Sequence, residues 1–524
     1  MDFSKAFDSI NRVALFYKLG TLGIKGDMLK LLYNVYSSSE YVIKANRQFS
    51  KPVSSNVGVK QGCNLSPLLF NLFINDIHTI FNDCNPLKIH DWKVSSLSFA
   101  DDLVLLSETE TGLRQCLSRL ESYCNEWGLK VNPIKTKVLV FNKPFTKNVK
   151  KMSFSIDKNP ISVTNSYCYL GVEVSNTGSF VKAADILYKK ALKALFSIYS
   201  SLDVRSDTKN TRLFLKLFDS LVKPILLYGC DIWGSAAINS NIVTNKFMNK
   251  FYRTLLGVPP NTSTAGIHSE LGRFPISVNI QETMVKYWFR IISLPRDRLA
   301  SHCYWSLLDL NPTKDPWITT IETALKSAGQ MFVWNSQKTL SCLDRRCLSK
   351  YENYICQTLR DVSLQVNAEK INSESKLNFF KNSKPTNKLS NYLNNLSGRD
   401  RRSSFSKLRL GTLELELEKG RRHNILRADR HCKICNSNEV ENETHFIFSC
   451  PALSKYRQPF IKEISDLSYN FKFMSLEDKI SFLYFNENLP LNLLEISADL
   501  LRMLIAARQN LLNSIDYVTI HTLL

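Results

Sequence analysis

The stretch SFADDLVLL, residues 98–106, places two adjacent aspartates, Asp101 and Asp102, between apolar runs. Neighbouring carboxylates repel each other, and a charge among apolar side chains is costly. The surrounding residues predict a strand, a tight turn that carries both aspartates, and a second strand. A solvated turn explains an isolated pair of aspartates, since aspartate is common in turns. Binding of Mg²⁺ is the alternative, and it requires a third carboxylate from another strand, which Asp2 or Asp8 can supply.

The segments on either side of this stretch alternate between helical and extended patterns. Together they indicate an α+β fold at the start of the chain, with helices packed on an antiparallel sheet. Beyond about residue 180 the pattern is mostly helical. The predicted elements are helices at 9–19, 27–36, 66–80 and 113–127, hairpins at 40–57 and 94–109, a strand at 137–141, and a short strand or hairpin at 167–174.

The composition is ordinary for a globular protein, but the charge is not. The chain has 524 residues, with 68 Lys and Arg against 47 Asp and Glu, and a formal net charge of +21. This excess favours a polyanionic partner, most simply nucleic acid, and a merely basic soluble protein is the alternative. The 13 cysteines are scattered, and there is no secretory signal or apolar run of membrane-spanning length. We therefore expect a protein of the cytoplasm, the nucleus or both, neither secreted nor membrane-bound.

Five segments occur in the order of the sequence motifs of reverse transcriptases. FADD (99–102) closely resembles the polymerase motif of that family, and DFSKAFDSI (2–10) resembles its first catalytic motif. The motifs that follow in the family are similar to GVKQGCNLSPLLFNLFINDI (58–77), GLKVNPIKT (128–136) and YLGV (169–172). The variants KAFD, QGCNLSP and FADD resemble those of non-LTR, or LINE-type, retrotransposons. The resemblance implies a polymerase palm, an antiparallel sheet with helices.

The resemblance covers about residues 1–175 and implies an RNA-directed DNA polymerase that works with two metal ions. In such an enzyme a primer 3′-hydroxyl attacks the α-phosphate of a deoxynucleoside triphosphate. Asp2, Asp101 and Asp102 take the positions of the carboxylates that hold two Mg²⁺ ions, for which Mn²⁺ is a substitute. Lys135 takes the position of a lysine near the pyrophosphate leaving group and becomes a candidate proton donor. An isolated lysine before a strand is otherwise simply solvated.

The same resemblance assigns three residues to the incoming nucleotide. Phe7 takes the place of an aromatic residue that clashes with a ribose 2′-hydroxyl, and a core phenylalanine is the ordinary alternative. Gln61 and Gly62 match residues that border the nucleotide, and a plain loop amide is the alternative for Gln61. Glycine also lets the backbone approach a ligand closely. We expect Asp8 to be structural, as a cap of the helix that follows it.

The start of the chain departs from the family pattern. Enzymes of this type carry a fingers subdomain upstream, commonly with an endonuclease, whereas here Met1 is followed at once by Asp2. We therefore expect an N-terminally truncated reverse transcriptase that begins inside a domain, with Asp2 on a frayed terminus. Two functions stay open on the sequence, an active polymerase or a catalytically inactive, nucleic-acid-binding remnant of such an element. An intron-type maturase is a related alternative that the downstream motifs disfavour.

The region after the palm resembles the segment that follows the polymerase in these elements. LLYGCDIWG (226–234) and LLGVPPNTSTAGIHSELGR (255–273) carry this resemblance. We expect residues 176–300 to form a helical thumb or connection, with lysines near the backbone of the nucleic-acid duplex. Residues 301–398 are expected to form a helical region with a linker, since residues 370–400 are rich in Ser, Asn and Lys. The lysines are Lys182, Lys189, Lys190 and Lys193.

A short stretch near the C-terminus holds a candidate metal site. HCKICNSNEVENETHFIFSC (431–450) has the spacing C-x2-C-x9-H-x4-C. Three cysteines and a histidine at such spacing are typical of a tetrahedral, structural Zn²⁺ site, and the stretch resembles the zinc knuckle of LINE-type proteins. Four unrelated residues or a disulfide are the alternatives. His423 and His431 lie nearby and are expected to be solvated. The candidate ligands are Cys432, Cys435, His445 and Cys450.

A basic segment leads into this stretch. Residues 399–430 are expected to contact phosphates of RNA or DNA beside the knuckle, with a solvated face as the alternative. Residues 399–460 make a predicted basic and zinc-binding region, and residues 461–524 a C-terminal helical segment. The expected partners are an RNA template, a DNA primer or target and deoxynucleoside triphosphates, and the oligomeric state stays open. The basic residues include Arg399, Arg401, Arg402, Lys407, Arg409, Arg421, Arg422, Arg427 and Arg430.

Overall fold

The structure, a computed structural model, divides the chain into two compact units. Unit 1 contains Met1–Phe180 and His302–Leu310, and unit 2 contains Val181–Ser301 and Asn311–Leu524. Residues 142–148, which follow the predicted strand at 137–141, and residues 383–386 of the expected linker lie outside the described residues. The structure describes residues 1–37, 39–141, 149, 152–202, 211–240, 244–310, 315–382 and 387–523.

Unit 1 is an α+β unit, in agreement with the sequence. Its described strands form small separate sheets, and they pair in antiparallel fashion except where Asn159–Thr164 runs parallel to Lys137–Leu139. The helices are Arg12–Thr21, Gly26–Ser37, Ser66–Phe73 and Glu110–Trp127. The strands are Glu40–Tyr41, Lys44–Ala45, Gln48–Phe49, Val53–Ser54, Leu87–Ile89, Trp92–Val94, Ser96–Phe99, Asp102–Leu105, Lys137–Leu139, Phe154–Ile156, Asn159–Thr164, Ser166–Tyr169 and Val172–Ser175.

An apolar core holds the unit 1 helices against the segments that carry the aspartates. Phe3, next to Asp2, and Leu103, next to Asp102, are both buried in this core. Burial of side chains of this size contributes about 1.5–3 kcal/mol each. The aspartates are therefore presented by segments whose neighbouring residues are anchored. Other core residues include Leu15, Leu19, Phe70, Phe73, Leu117 and Leu120 from three of the helices.

Local turn and cap residues explain where elements of unit 1 begin and end. The helix Glu110–Trp127 begins after Thr109, whose side chain accepts a hydrogen bond from the Gly112 amide, and ends at Gly128 in the left-handed conformation. Asn46 and Arg47 both have positive φ angles, 49° and 65°, which suits the two-residue turn between Lys44–Ala45 and Gln48–Phe49. The sequence prediction of a hairpin at 40–57 is confirmed.

The regular elements that the structure describes beyond residue 180 are helical, as predicted. Most belong to unit 2, and the last three of them follow the Cys/His stretch. The α-helices are Val181–Leu202, Thr211–Leu217, Lys223–Leu226, Cys230–Ser240, Thr244–Leu256, Thr264–Leu271, Ile276–Ile292, Leu299–Leu310, Pro316–Ser327, Met331–Asn335, Gln337–Leu340, Arg345–Ser373, Asn391–Asn395, Arg399–Arg409, Glu416–Arg422, Ser454–Leu467, Leu476–Tyr484 and Leu491–Leu523.

The segment 370–400, interpreted from its composition as a linker, contributes to the interior of unit 2 in its described part. Leu377, Phe380, Tyr392 and Leu393 are all buried. These apolar side chains lie between many Ser, Asn and Lys residues, which is why composition alone suggested a solvated connection. The division into the predicted domains stays a prediction.

Candidate active site and metal centre

The two central aspartates lie at the tip of a tight hairpin, and the turn predicted to carry both of them contains only Asp101, since Asp102 is the first residue of the second strand. Ser96–Phe99 and Asp102–Leu105 pair in antiparallel register with Phe99 opposite Asp102, so Ala100 and Asp101 form the turn. Ala100 has a φ angle of +50°, a left-handed conformation that costs a non-glycine residue about 1–2 kcal/mol. Strained backbone of this kind is found disproportionately at functional sites.

Asp2 joins this hairpin through backbone pairing. Asp2 forms an antiparallel bridge with Asp102. The amino group of Met1 donates a hydrogen bond of 2.7 Å to the Leu103 carbonyl, and the Asn132 amide donates one of 2.8 Å to the Asp2 carbonyl. The expectation that Asp2 lies on a frayed terminus is therefore wrong. Hydrogen bonds to two different segments hold it in register with Asp102.

Lys135 lies beside this acidic edge. Its Nζ is 3.1 Å from Oδ2 of Asp2, whose side chain is only 17% exposed. The Lys135 backbone is held in turn by Asn132, whose side-chain oxygen accepts hydrogen bonds from the amides of Ile134 and Lys135. The ammonium group thus partly balances the carboxylates, and its own side chain stays 65% exposed and free to reach a ligand.

Burial and the negative charges of the neighbouring carboxylates raise the pKa of Asp102 above its ordinary value. Burial is the largest cause of this increase in pKa, followed by the charge of Asp101. Burial also lowers the pKa of the Met1 amino group, and the positive charge of this group lowers the pKa of Asp102 in turn. Among the residues that the structure describes, the oxygens of Asp2, Asp101 and Asp102 do not converge on one point as ligands around an ion do.

The hairpin that carries the YLGV motif also lies near these carboxylates. Ser166–Tyr169 pairs with Val172–Ser175. Burial, and after it the charge of Asp102, raises the pKa of both Tyr167 and Tyr169. The structure therefore brings the last of the sequence motifs to the same edge of unit 1.

The Gln61 loop packs against the turn that follows Asp2. The Val59 amide donates to the Phe7 carbonyl over 2.8 Å, and Gln61 Nε2 donates to Oδ1 of Asp8 over 2.8 Å. The Phe7 ring is half-buried, with its centroid 5.1 Å from that of Phe70. Gly62 has a φ angle of +80° with open space where a Cβ would lie. The structure thus brings Phe7 and the Gln61 loop together.

Asp8 is structural, but not in the way that the sequence suggests. The cap of the following helix is Asn11, whose side chain accepts hydrogen bonds from the amides of Val13 and Ala14. Asp8 instead accepts the hydrogen bond from Gln61. The expectation that Asp8 caps the helix is wrong, because the chain makes a further turn before the helix begins at Arg12.

Arg12 is a positioning residue that sequence reasoning missed. It is 6% exposed, and its guanidinium donates hydrogen bonds to the carbonyls of Gly58 (2.9 Å) and Tyr36 (2.7 Å). It also donates to the carbonyls of Ser55 and Val57. One buried cation therefore fixes the loop that leads to Gln61. An arginine at the start of an otherwise apolar helix gives only a weak signal of this in the sequence.

The Cys/His cluster in unit 2 is confirmed as a group of converging side chains. One ligand atom each from Cys432, Cys435, His445 and Cys450 lie within 4.8 Å of one another. The Sγ atoms of Cys432 and Cys450 are 4.0 Å apart, and Cys435 Sγ is 3.4 Å from His445 Nε2. Two sulfurs each about 2.3 Å from a tetrahedral Zn²⁺ lie roughly 3.8 Å apart, so the donor set fits this ion.

A second layer of side chains orients the cluster. Nδ1 of His445 is 2.6 Å from Oε2 of Glu439, which leaves Nε2 facing the cysteines. Glu441, fully buried, accepts two hydrogen bonds of 2.6 Å from Arg508 on the helix Leu491–Leu523. Oε1 of Glu441 lies 3.7 Å from Cys432 Sγ. Glu439, Glu441 and Arg508 were not predicted from the sequence.

The two other histidines lie outside the group of converging ligands. His423 is exposed, as expected. His431 is half-buried, and its Nδ1 is enclosed without a hydrogen-bond partner, so the expectation that it is solvated is wrong. Its backbone pairs with Val440 across the knuckle, which draws the side chain toward the protein interior.

Comparison with known proteins agrees with this geometry. Residues 1–174 match the family model described as "Reverse transcriptase (RNA-dependent DNA polymerase)". Residues 1–174 are a reverse transcriptase domain. The match contains the hairpin of Asp101 and Asp102, the segment of Asp2, the Gln61 loop and the Lys135 turn. It ends within the hairpin that carries YLGV.

The similar proteins come from retrotransposons, which confirms the resemblance to non-LTR reverse transcriptases. The chain is 30% identical over 185 residues to the Pol polyprotein of the type-1 retrotransposable element R2 of Popillia japonica, covering 34% of this chain and 30% of the relative. It is 25% identical over 313 residues to a probable RNA-directed DNA polymerase from transposon BS of Drosophila melanogaster (58% and 32%). It is 27% identical over 277 residues to the Pol polyprotein of element R2DM of Drosophila melanogaster (51% and 25%). The matched regions span about a third or less of the length of these relatives.

The basic segment 399–430 contains arginines that are buried rather than exposed to a nucleic-acid partner. Arg409 is 4% exposed in its side chain and pairs with Glu270 (2.6 Å) and Glu487 (2.9 Å). Arg402 is buried and donates to the Leu396 carbonyl. The expectation that the arginines of this segment contact phosphates is wrong for these two, because they stabilise the interior of unit 2.

The lysines expected beside the duplex lie on one helix of unit 2, Val181–Leu202. Lys182, Lys189, Lys190 and Lys193 are exposed, and Lys189 pairs with Asp185 over 2.7 Å. Their position is compatible with phosphate contacts, which stay a prediction. No helix in the described part of the chain is both long and apolar enough to cross a membrane.

Proposed function

We propose that this chain is an RNA-directed DNA polymerase of the non-LTR retrotransposon type, which extends a DNA primer along an RNA template. The observation that carries the proposal is the backbone register that pairs Asp2 with Asp102 at the hairpin tip that presents Asp101. Three carboxylates from two distant segments at one edge are the donor set that metal-dependent nucleotidyl transfer needs. The relatives named as RNA-directed DNA polymerases and retrotransposon Pol proteins support it.

Asp2, Asp101 and Asp102 would hold the metal ions. Their oxygens are the hard ligands that Mg²⁺ prefers, and the raised pKa of Asp102 indicates carboxylates that a cation would stabilise. When bound, two Mg²⁺ ions, or Mn²⁺ in their place, promote attack by the primer hydroxyl and stabilise the charge on the leaving group. Asp101 lies in the turn itself, so its carboxylate can adjust to the ions without moving the paired strands.

The remaining residues act on the nucleotide. The primer 3′-oxygen forms a bond to the α-phosphorus, the bond from that phosphorus to the pyrophosphate breaks, and the proton of the hydroxyl passes to solvent water. The exposed ammonium of Lys135 is placed to donate a proton to the departing pyrophosphate. Gln61 and Gly62 border the incoming nucleotide, and Phe7, half-buried against Phe70, blocks a ribose 2′-hydroxyl.

We assign a structural Zn²⁺ to the Cys/His cluster. Four protein ligands leave no open position for a substrate, so the ion stabilises the fold rather than reacting. Glu439 fixes the tautomer of His445 that offers Nε2. The RNA template, the DNA primer or target and deoxynucleoside triphosphates are the proposed partners.

Primer extension by the purified chain tests the proposal. The substrate is a DNA primer annealed to an RNA template, in Mg²⁺ and separately in Mn²⁺. Asp101→Ala should lower the extension rate by at least about a hundredfold, since loss of a residue that only orients a metal ligand already costs about 10–100-fold. Asp91→Ala is the matched control, because Asp91 is an exposed aspartate in the turn of the neighbouring hairpin, and it should leave the rate unchanged.

Two further readouts separate the assigned roles. Lys135→Ala should slow extension by about a hundredfold or more if it is the proton donor. Phe7→Ala should raise incorporation of ribonucleotides relative to deoxynucleotides. Extension that persists in Asp101→Ala, or a chain that binds the primed template tightly and salt-sensitively without extending it, would overturn the polymerase proposal. The second result would favour a nucleic-acid-binding remnant.

A further inference from the structure

A pair of aromatic rings in unit 2 faces solvent. Tyr469 and Phe473 are 72% and 73% exposed, and their ring centroids are 5.3 Å apart. They lie at the two ends of one short 3₁₀ helix, Tyr469–Phe473. Between them Phe471 is 1% exposed and packs near Phe448, with centroids 6.4 Å apart. The buried ring anchors the turn, so the two outer rings are held in water, where large aromatic groups usually mark a contact surface.

Several cations lie near the buried ring that separates the two exposed ones. A groove of about 490 Å³ beside the turn is lined by Lys462, Lys472 and Lys479 together with Arg457, against a single acid, Asp466. Lys472 belongs to the same 3₁₀ helix as the rings. The Lys479 ammonium lies 5.3 Å from the Phe471 ring centroid. Lys472 thus belongs both to the groove lining and to the turn that carries the exposed rings, so the groove brings positive charge to this turn.

The groove adjoins the Cys/His cluster. Arg457, at its back, donates hydrogen bonds to the carbonyls of Cys450 and Ile447. Phe448, which also lines the groove, lies on the π-helical turn His445–Ser449 that carries a cluster ligand. Phe448 and Arg457 thus link the groove lining to the segment that carries the cluster ligands.

We infer that the exposed rings of Tyr469 and Phe473 with Lys462, Lys472 and Lys479, here termed the aromatic–lysine surface, bind single-stranded nucleic acid. Bases stack on the two rings, and backbone phosphates contact the lysines. Stacking requires unpaired bases, because the faces of paired bases are already covered by their neighbours in a duplex. The inference rests on the proposed function in that nucleic acid is the substrate of this chain.

Equilibrium binding of the full chain to unpaired oligonucleotides tests the inference. The probes are fluorescein-labelled 12-nucleotide oligo(dT) and oligo(U), followed by fluorescence anisotropy. The double variant Tyr469→Ala with Phe473→Ala should weaken binding about tenfold or more, since each stacked base contributes substantially. The matched control is Phe332→Ala with Tyr354→Ala, two rings that are each 57% exposed elsewhere in unit 2, and it should bind as the parent chain does.

Two companion variants separate stacking from folding and from charge. Exchange of the rings, Tyr469→Phe with Phe473→Tyr, keeps two aromatic faces and should keep the affinity. Replacing Lys462, Lys472 and Lys479 by Gln should reduce the slope of log affinity against log salt by about 2, the value for three phosphate contacts on a single strand. Equal binding of the two probes indicates stacking without sugar recognition, and a preference identifies RNA or DNA as the ligand.

The readout is independent of catalysis. Asp101→Ala should bind both oligonucleotides as the parent chain does, so a chain that fails primer extension can still support the inference. Crosslinking of a 4-thiouridine oligonucleotide should label the peptide that contains Tyr469 and Phe473. The inference is overturned if the double alanine variant binds with unchanged affinity, if crosslinks map only to other peptides, or if the surface binds anionic vesicles and not oligonucleotides.

Discussion

The acidic edge of unit 1 and the Cys/His cluster of unit 2 are both candidate metal sites, but they are built differently. The cluster draws its four ligands from Cys432 to Cys450, and the ligand atoms lie within 4.8 Å of one another. The acidic edge joins Asp2 to a hairpin about a hundred residues later in the sequence. Its carboxylates do not form a converging ligand group among the described residues, and the pKa of Asp102 is raised.

On the functions proposed above, this difference corresponds to a structural metal site and a catalytic one. A structural site is completed by the protein itself, with an outer layer such as Glu439 and the Glu441–Arg508 pair already in place. A catalytic carboxylate site is completed only by the ions and the substrate, and at the acidic edge Lys135 balances the carboxylates only in part. The cluster should therefore govern stability and the acidic edge should govern activity. The following predictions test this division.

Loss of one cluster ligand should have the largest effect on stability. Cys450 is fully buried, and Cys450→Ser should abolish stoichiometric zinc binding and expose the segment around residues 431–460 to proteases. The reason is that structural Zn²⁺ contributes about 10–16 kcal/mol of apparent binding free energy in small zinc-finger peptides. Metal analysis and limited proteolysis, with and without a chelator, provide the measurement.

Cys342→Ser is the matched control for this variant. Cys342 is a free, exposed cysteine of unit 2, and its replacement should change neither the zinc content nor the protease pattern. Retention of one zinc ion per chain by Cys450→Ser, with parental protease resistance, would show that Cys450 is not a ligand.

Loss of Arg508, which pairs with Glu441 beside the cluster, should have the next largest effect on stability. Arg508→Met leaves Glu441 charged and buried beside Cys432, so unit 2 should lose about 3–5 kcal/mol of its free energy of unfolding. Hydrogen exchange of the helix Leu491–Leu523 measures this loss locally. Combining Arg508→Met with Glu441→Gln should recover most of it, because the buried charge is then removed.

Arg502→Met serves as the comparison on the same helix. Arg502 is 57% exposed, and it forms a surface ion pair of 3.5 Å with Asp499. Because exposed ion pairs contribute little, its loss should lower the free energy of unfolding by well under about 1 kcal/mol. If Arg508→Met has an effect as small as that of Arg502→Met, then the Glu441–Arg508 pair does not couple the cluster to the helix.

Gly58 tests the loop that positions Gln61. A Cβ at this position would lie 2.7 Å from the Asp8 carbonyl oxygen, and the φ angle is +78°. Gly58→Ala should therefore destabilise unit 1 by about 2–4 kcal/mol, from backbone strain plus steric overlap. Thermal unfolding measured together with primer extension should show both falling. Gly20→Ala, with open space around it, should be neutral or slightly stabilising in its helix.

Local sequence patterns predicted the parts of each site that depend on neighbouring residues. The alternating apolar residues around Asp101 and Asp102 predicted a hairpin, and the short spacing of the Cys/His ligands predicted a compact cluster. The positive φ of Ala100 was not predictable, because the turn contains no glycine to signal it. The position of Asp2 was expected only through the resemblance to reverse transcriptases, and the hydrogen bonds that hold it there come from Met1 and Asn132.

The parts that depend on distant partners were predicted poorly. In the sequence, Arg409 cannot be distinguished from the other arginines of its basic segment. Its partners Glu270 and Glu487 lie far away in the chain and are brought to it only by the fold. Arg12 likewise becomes a positioning residue because four carbonyls converge on it. Burial of an ion pair is a property of tertiary packing, so composition cannot distinguish an arginine that binds phosphate from one that stabilises a core.

The smallest expected effect is a dependence of stability on pH at the acidic edge. The pKa of Asp102 is raised above its ordinary 3.8 by burial and by Asp101, so the folded state binds more protons here than the unfolded state. Stability must then fall as the pH rises from about the ordinary value through the folded pKa, and the deficit persists at neutral pH. Asp102→Asn, which stays uncharged, should have a slightly higher melting temperature than the parent chain at pH 7 without divalent metal.

This advantage should vanish when the pH is lowered below about 4, where both side chains are uncharged. It should shrink or reverse when Mg²⁺ is added at pH 7, because the ion stabilises the folded chain only where the carboxylates can bind it. Asp91→Asn, in an exposed turn, should show neither change. A lower melting temperature for Asp102→Asn at pH 7 without metal would mean that the Asp102 charge is stabilising in the protein alone. The acidic edge would then resemble the Cys/His cluster, as a site completed by its own residues.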